Sequence, residues 1–470
     1  MFLYEVAAPA LQGLTIPAMP DPFEGFAMKR YGVMTALVLG AFFGCHESRP
    51  HQKPKQPESK LDGMDTLAEA YAKLVLALGV HDPDYVDAFY GPVEWRTAAE
   101  VEKKPLAGIR EEAVELSASL DAAEINGGDL LDLLRRDYLR KQLRALAARV
   151  DMLMGEKFSF DTESELLYDA VSPHYPEAHY RDLRRELETL VPGEGDLTER
   201  LEAYRQTFAI PKERLDAVFQ AALAEARKRT ANHISLPEGE SFEVEYVTDK
   251  PWSGYNWYKG NYHSLIQVNT DLPIFIDRAV DLACHEGYPG HHVYNVLLER
   301  DLVRGKGWRE FTVYPLFSPQ SLIAEGTANF GIQMAFPGRE RIDFEKEILF
   351  PLAGIDPASA ENYYRIMEVV GRLNYAGNEA ARGFLDGEMD SGTAVDWLHE
   401  YALFSTERAQ QRLKFIEKYR SYVINYNLGQ DLVFTHVEAV SGGGSHSDQR
   451  WEVFRGLISS PRIPSQLQPN

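Results

Sequence analysis

Between Asp281 and Val293 the chain reads Asp-Leu-Ala-Cys-His285-Glu286-Gly-Tyr-Pro289-Gly290-His291-His292-Val, so three histidines and a glutamate fall within eight residues. Neutral imidazole is a common zinc ligand, and a carboxylate beside it can take a proton from an attacking water. In the usual helical arrangement, histidines four apart share one face, with a glutamate between them as base. Here the position four after His285 is Pro289. A straight helix would return His292 to within about 20° of His285, but roughly 10 Å further along the axis. That is too far for both rings to reach one ion at about 2 Å. Pro289 has no N–H to bond back to the His285 carbonyl, and Gly290 tolerates backbone angles that other residues resist. The pattern predicts a break, a two-residue insertion that folds His291 or His292 back toward His285. His291 stands where the usual second ligand would fall.

The run His285-Glu-Gly-Tyr-Pro-Gly-His-His292 resembles the HExxPGHH signature of the bacterial family called domain of unknown function 885. That family is grouped with the zinc metallopeptidases of the gluzincin type, and the resemblance extends from about Met64 to Gln430. It implies zinc as cofactor, peptides as substrates, Glu286 as the base and a third ligand from a glutamate on a later helix. Ser318-Pro319-Gln-Ser-Leu-Ile-Ala-Glu325-Gly-Thr-Ala-Asn329 offers that helix, opening with a cap residue and a proline at the first helical position. Leu322, Ile323 and Ala324 are too apolar for a solvated face, and Ala324 and Gly326 leave room for another helix to approach Glu325. Asn329, one turn later, and Asp281, one turn before His285, are candidates to orient the ligand rings. In related zincins a tyrosine or histidine from a distant part of the chain steadies the oxyanion. Tyr422 and Tyr426 are the candidates here.

The chain has 470 residues, 44% of them hydrophobic, enough to bury a large core, and a formal net charge of −22. An acidic surface argues against nucleic acid as a partner, because phosphate backbones are bound by basic patches. The two cysteines are Cys45 and Cys284. Met28-Lys-Arg, a short apolar run from Tyr31 to Gly44 and then Cys45 read as a bacterial lipoprotein signal with translation starting at Met28. A lipidated Cys45 would anchor the chain to a membrane in the periplasm or cell envelope, and would leave Cys284 without a disulfide partner.

Residues 1–45 are thus assigned to a misplaced start and signal, and 46–62, polar and rich in proline, to a flexible tether. Helical spacing then dominates residues 63–235: Met64 to Leu78, Ile109 to Leu120, Leu130 to Met154, Glu163 to Val171, Tyr180 to Leu190, Asp196 to Phe208 and Lys212 to Arg229. Phe242–Thr248 and Tyr262–Asn269 alternate as strands, separated by an aromatic, turn-rich segment from Trp252 to Asn261. Further helices are expected over Phe344–Leu352, Ser359–Asn374 and Thr393–Tyr419, then a C-terminal tail over 441–470 that opens with a loose run from Ser441 to His446. The expected fold is mainly α with a small antiparallel β-sheet, a zincin-like helical protein with a deep cleft, whose catalytic region spans 236–440. The expected function is zinc-dependent hydrolysis of peptide bonds by an exported lipoprotein. Its rival is a non-catalytic peptide- or metal-binding lipoprotein with an inactive site.

Overall fold

The apolar stripe that starts at Met64 becomes α1 (Gly63–Gly79), which buries Tyr71, Leu74, Val75 and Leu78. A computed structural model describes residues 63–123, 129–250, 252–443 and 447–468. The signal, Cys45 and the tether lie outside the described residues. After α1 come β1 (Val86–Phe89), α2 (Val93–Glu102), α3 (Leu106–Ala122), α4 (Leu130–Leu153), α5 (Phe160–Tyr168), α6 (Glu177–Leu190), α7 (Leu197–Gln206) and α8 (Leu215–Ala231). Side chains cap several of them. Asp129 accepts from the Leu131 amide at 3.1 Å, Ser159 from Thr162 at 3.3 Å and Asp196 from Glu199 at 3.1 Å. Each such cap contributes about 1 kcal/mol.

Three strands follow: β2 (Ser241–Val247), β3 (Gly254–Gly260) and β4 (His263–Asn269). The segment expected to be turn-rich is largely β3, because its aromatics favour a pleated surface as readily as a loop. Gly260, Asn261 and Tyr262 take φ of 77°, 55° and 61°, and this tight turn reverses β3 onto β4. β3 is antiparallel to β4, with Tyr255 opposite Gln267, while β2 joins the other side of β4 in parallel, with Val244 opposite Ile266. The order β2-β4-β3 leaves β3 at an edge. A separate antiparallel pair joins β1 to β5 (Val313–Pro315).

The second half is again helical: α9 (Ile276–Leu282), α10 (His291–Leu297), α11 (Pro319–Ala335), α12 (Arg339–Phe344), α13 (Phe350–Ala353), α14 (Ala360–Arg372), α15 (Ala376–Leu385), α16 (Ser391–Tyr401), α17 (Thr406–Tyr419), α18 (Ile424–Ser441) and α19 (Ser447–Ile458). The single helix expected over Thr393–Tyr419 is two. Leu403 turns left-handed at φ 57°, and the Ser405 hydroxyl accepts from the Arg408 amide at 3.4 Å to start α17. Within the segment assigned to the C-terminal tail, α19 buries Trp451, Phe454, Leu457 and Ile458. No boundary divides the chain at 235, because residues 62–470 cluster as one unit. No helix among the described residues is long and apolar enough to cross a membrane.

α11 is the central element. Every residue in it except Gln333 is buried. It crosses α18 where Gly326 meets Gly429, so closely that a Cβ on Gly326 would lie 2.4 Å from the Gly429 backbone. Only glycine fits such an approach.

Candidate metal centre and catalytic cleft

The predicted break is present, and its backbone explains it. α9 widens into a π turn over Ala283–Gly287. The Tyr288 amide then donates to Ala283 O at 3.0 Å and the Gly290 amide to Cys284 O at 2.9 Å. Tyr288 is extended (φ −121°, ψ 113°), and the Tyr288–Pro289 bond is cis. The new helix α10 starts at His291. Gly290 is obligatory here, because a Cβ on it would fall 1.9 Å from the carbonyl oxygen of His285.

This fold-back brings His291 onto His285. Their Nε2 atoms are 3.1 Å apart and the rings stand at 90°. Glu325 on α11 completes the group, with Oε2 3.4 Å from His285 Nε2 and Oε1 3.7 Å from His291 Nε2. One donor atom from each of the three lies within 4.8 Å of the others. Donors held about 2 Å from one tetrahedral ion sit roughly 3–3.5 Å apart, so the trio is close to the required spacing.

The tautomer of His285 follows from its neighbours. The Asn329 amide nitrogen donates to Tyr426 O at 2.9 Å, which turns its Oδ1 toward His285 Nδ1, also at 2.9 Å. Nδ1 therefore carries the proton, and the Nε2 lone pair faces His291 and Glu325. Burial pulls the His285 pKa down to about 3, helped by Arg278, and that of His291 down to about 4, helped by His285. Both rings are neutral and able to ligate. Glu325 Oε2 and Glu286 Oε1 are buried and have no hydrogen bond. Burial and the proximity of Glu325 push the Glu286 carboxyl well above its ordinary range. Neutral nitrogens, crowded carboxylates and unpaired oxygens are what a divalent cation would compensate.

His292, adjacent in sequence, belongs to a different network. Its Nε2 meets Glu240 Oε2 at 2.9 Å and its Nδ1 meets Ser264 Oγ at 2.8 Å. Glu240 also accepts from the Tyr288 hydroxyl at 2.8 Å and from Arg227 Nε at 3.1 Å. The sequence gives no sign of Glu240 or Ser264, which sit at the head of β2 and on β4. Asp281 is likewise engaged elsewhere, with Arg341 at 2.8 Å and Arg278 at 3.4 Å. Tyr422 donates to Glu325 Oε1 at 3.0 Å, and Tyr426 lies behind it with ring centroids 5.6 Å apart. His291→Ala is accordingly expected to empty the metal site. His292→Gln should keep bound metal near one equivalent while lowering the unfolding midpoint, because it breaks a buried pair. Metal content and denaturation of the two variants check this.

The trio opens onto a cleft of about 460 Å³ bounded by β1, β3 and the start of α18. Glu286 and His291 line it, facing Tyr255, Tyr314, Tyr422 and Tyr426. Asn256 on β3 donates to the Glu286 carbonyl at 2.7 Å, tying the edge strand to the turn that carries the base. Asp87 on β1 accepts from the Tyr255 hydroxyl, and burial pushes its carboxyl up to about 6.

No protein-family model matches the chain, and no curated protein matches it. The family resemblance thus rests on residues 285–292. Among solved structures, a protein described as a lipoprotein from Colwellia psychrerythraea is 14% identical, with 80% of this chain and 71% of that one aligned at a TM-score of 0.49. A lipoprotein of unknown function from Shewanella oneidensis is 13% identical over 86% and 81% of the two chains, at 0.45. An M32 carboxypeptidase from Deinococcus radiodurans R1 is 14% identical over 86% and 93%, at 0.42. Likenesses this remote carry no weight for activity.

Proposed function

We propose that the chain is a zinc-dependent hydrolase that cuts peptide bonds in the cell envelope. The observation that carries this is the meeting of His285, His291 and Glu325 beside a cleft that also holds the Glu286 carboxyl, whose Oε1 has no hydrogen bond. His285, His291 and Glu325 would hold the ion, and Asn329 fixes the first of these rings. When bound, zinc polarises a carbonyl and lowers the pKa of water toward about 7. Glu286 takes a proton from the attacking water and passes it to the leaving amine. Tyr422, with Tyr426 behind it, is the hydroxyl assigned to the developing oxyanion. A peptide laid along the unpaired edge of β3 would gain backbone hydrogen bonds and be held extended past Glu286.

The test is to screen the purified protein against a mixed peptide library before and after chelation. Cleavage should stop when zinc is removed and return when it is restored. A zinc-loaded protein that cuts nothing would turn the reading into a binding module, and cleavage that survives loss of the metal would sink it. Export has its own check. Mass spectrometry of the native N-terminus should find an acylated Cys45, and an unmodified chain retained in the cytoplasm would refute export.

A further inference from the structure

A second cavity, of about 80 Å³, comes close to the cleft near Gly254. A Cβ on Gly254 would meet Leu282, which lines this second cavity, at 2.7 Å and Glu286, which lines the first, at 3.1 Å. Four arginines line the second cavity, Arg205, Arg278, Arg408 and Arg412, against the single carboxylate of Asp277. Asp277 already accepts from the Tyr363 hydroxyl at 2.7 Å. Arg205 lies 4.3 Å over the ring of Phe275, and Arg278 reaches Asp281 and the Ser253 hydroxyl at 3.4 Å each.

Arg412 is the exception among them. It is 8% exposed, and neither its Nε nor its Nη1 has a hydrogen-bond partner. Its described neighbour is the Phe415 ring, 4.8 Å from the guanidinium carbon. Burial lowers its pKa to about 10, so it is still a cation at neutral pH. Buried N–H donors of a cation left without an acceptor are costly and call for a compensating group. The wall beside it is unusual too, since Leu403 holds a left-handed backbone that leucine rarely adopts.

We propose that this cavity is a binding site for a small oxyanion, a phosphate or carboxylate group, held by Arg412 in the field of Arg205, Arg278 and Arg408. A guanidinium presents its N–H groups as a planar fork that matches either anion. The space accommodates several waters and so an ion of four or five heavy atoms. The site is separate from the metal centre and stands whether or not the chain is a peptidase.

Inorganic phosphate is the probe, titrated into the metal-loaded protein at constant ionic strength against chloride, with calorimetry and thermal unfolding as readouts. Wild type should show saturable binding and stabilisation. Arg412→Met should weaken the affinity about 10- to 100-fold, the loss of one or two charge-assisted hydrogen bonds. It should fold at least as stably as wild type without phosphate, because an unpaired buried charge has gone. Arg408→Gln repeats the test if that variant fails to fold. Phosphate held by the metal instead would bind both variants as wild type does, and that result would overturn the proposal. So would a wild type that responds no more to phosphate than to chloride. A further arm separates two sources of the anion. Competition by a peptide free acid but not by its amide identifies a peptide carboxylate, and a lack of competition by either, with phosphate bound, identifies a free anion.

Discussion

Glu286→Gln is expected to keep its fold and its zinc while losing about 10²–10⁴ in rate. Glutamine is isosteric, and the carboxylate it replaces lies outside the His285, His291 and Glu325 donor group. Glu325→Ala should fail differently, releasing the metal and losing activity as a consequence. Burial raises both carboxyls, and the nearby Glu325 raises that of Glu286 further. Their roles nevertheless part on geometry. Glu325 lies against both imidazoles, whereas the Glu286 oxygen near Gly254 meets no donor. Bound zinc and turnover, measured on both variants, distinguish them. Full activity in Glu286→Gln would refute the mechanism, and zinc kept by Glu325→Ala but lost by Glu286→Gln would exchange the two roles. Cys284→Ser is a useful companion, since this buried thiol has no assigned part and the variant should retain metal and activity.

Gly290→Ala is expected to cost at least about 3 kcal/mol, the upper end of overpacking penalties, and to abolish zinc binding. The added methyl would sit 1.9 Å from His285 O and 2.4 Å from Cys284 O. Both are backbone atoms, and Cys284 O accepts the Gly290 amide, so neither can yield without undoing the turn. Relief would have to move His285 away from His291. Gly371→Ala is the control. That glycine lies in α14 with nothing within 4 Å of the position a Cβ would take, so alanine there should be neutral or stabilising by up to about 1 kcal/mol. Denaturation midpoints and metal content report on both. A Gly290→Ala protein as stable as wild type and fully loaded with zinc would show that the fold-back is not what forms the site.

The parts of the site that were legible in the sequence are those set by local chemistry. Pro289 and Gly290 announce a helix break, and the apolar company of Glu325 marks it as buried. Asn329 follows from one helical turn. The two-residue insertion favoured His291 over His292, but the engagement of His292 was not legible, because its partner Glu240 lies 52 positions upstream. Asp281 has the right spacing to support His285, but Arg341 and Arg278 compete for its carboxylate. The strands show the same division. Alternation marks β2 and β4, yet nothing in either says that they pair in parallel, because β3 occupies the antiparallel side. α18 was hidden by its tyrosines, asparagines and Gly429. Such residues are poor helix formers in isolation, and packing against α11 overrides that weakness.

The contact between Gly326 and Gly429 also bears on how the cleft can move. Two helices whose backbones meet with no side chain between them at that point are held close, so α11 and α18 are expected to move together. Glu325 and Tyr426 would then move as a pair, and Asn329 is bonded across the two helices. Widening of the cleft to admit a substrate or release a product is then expected at the opposite wall, β1 and the edge strand β3. Such a movement would stretch or swing the bond from Asn256 to the Glu286 carbonyl.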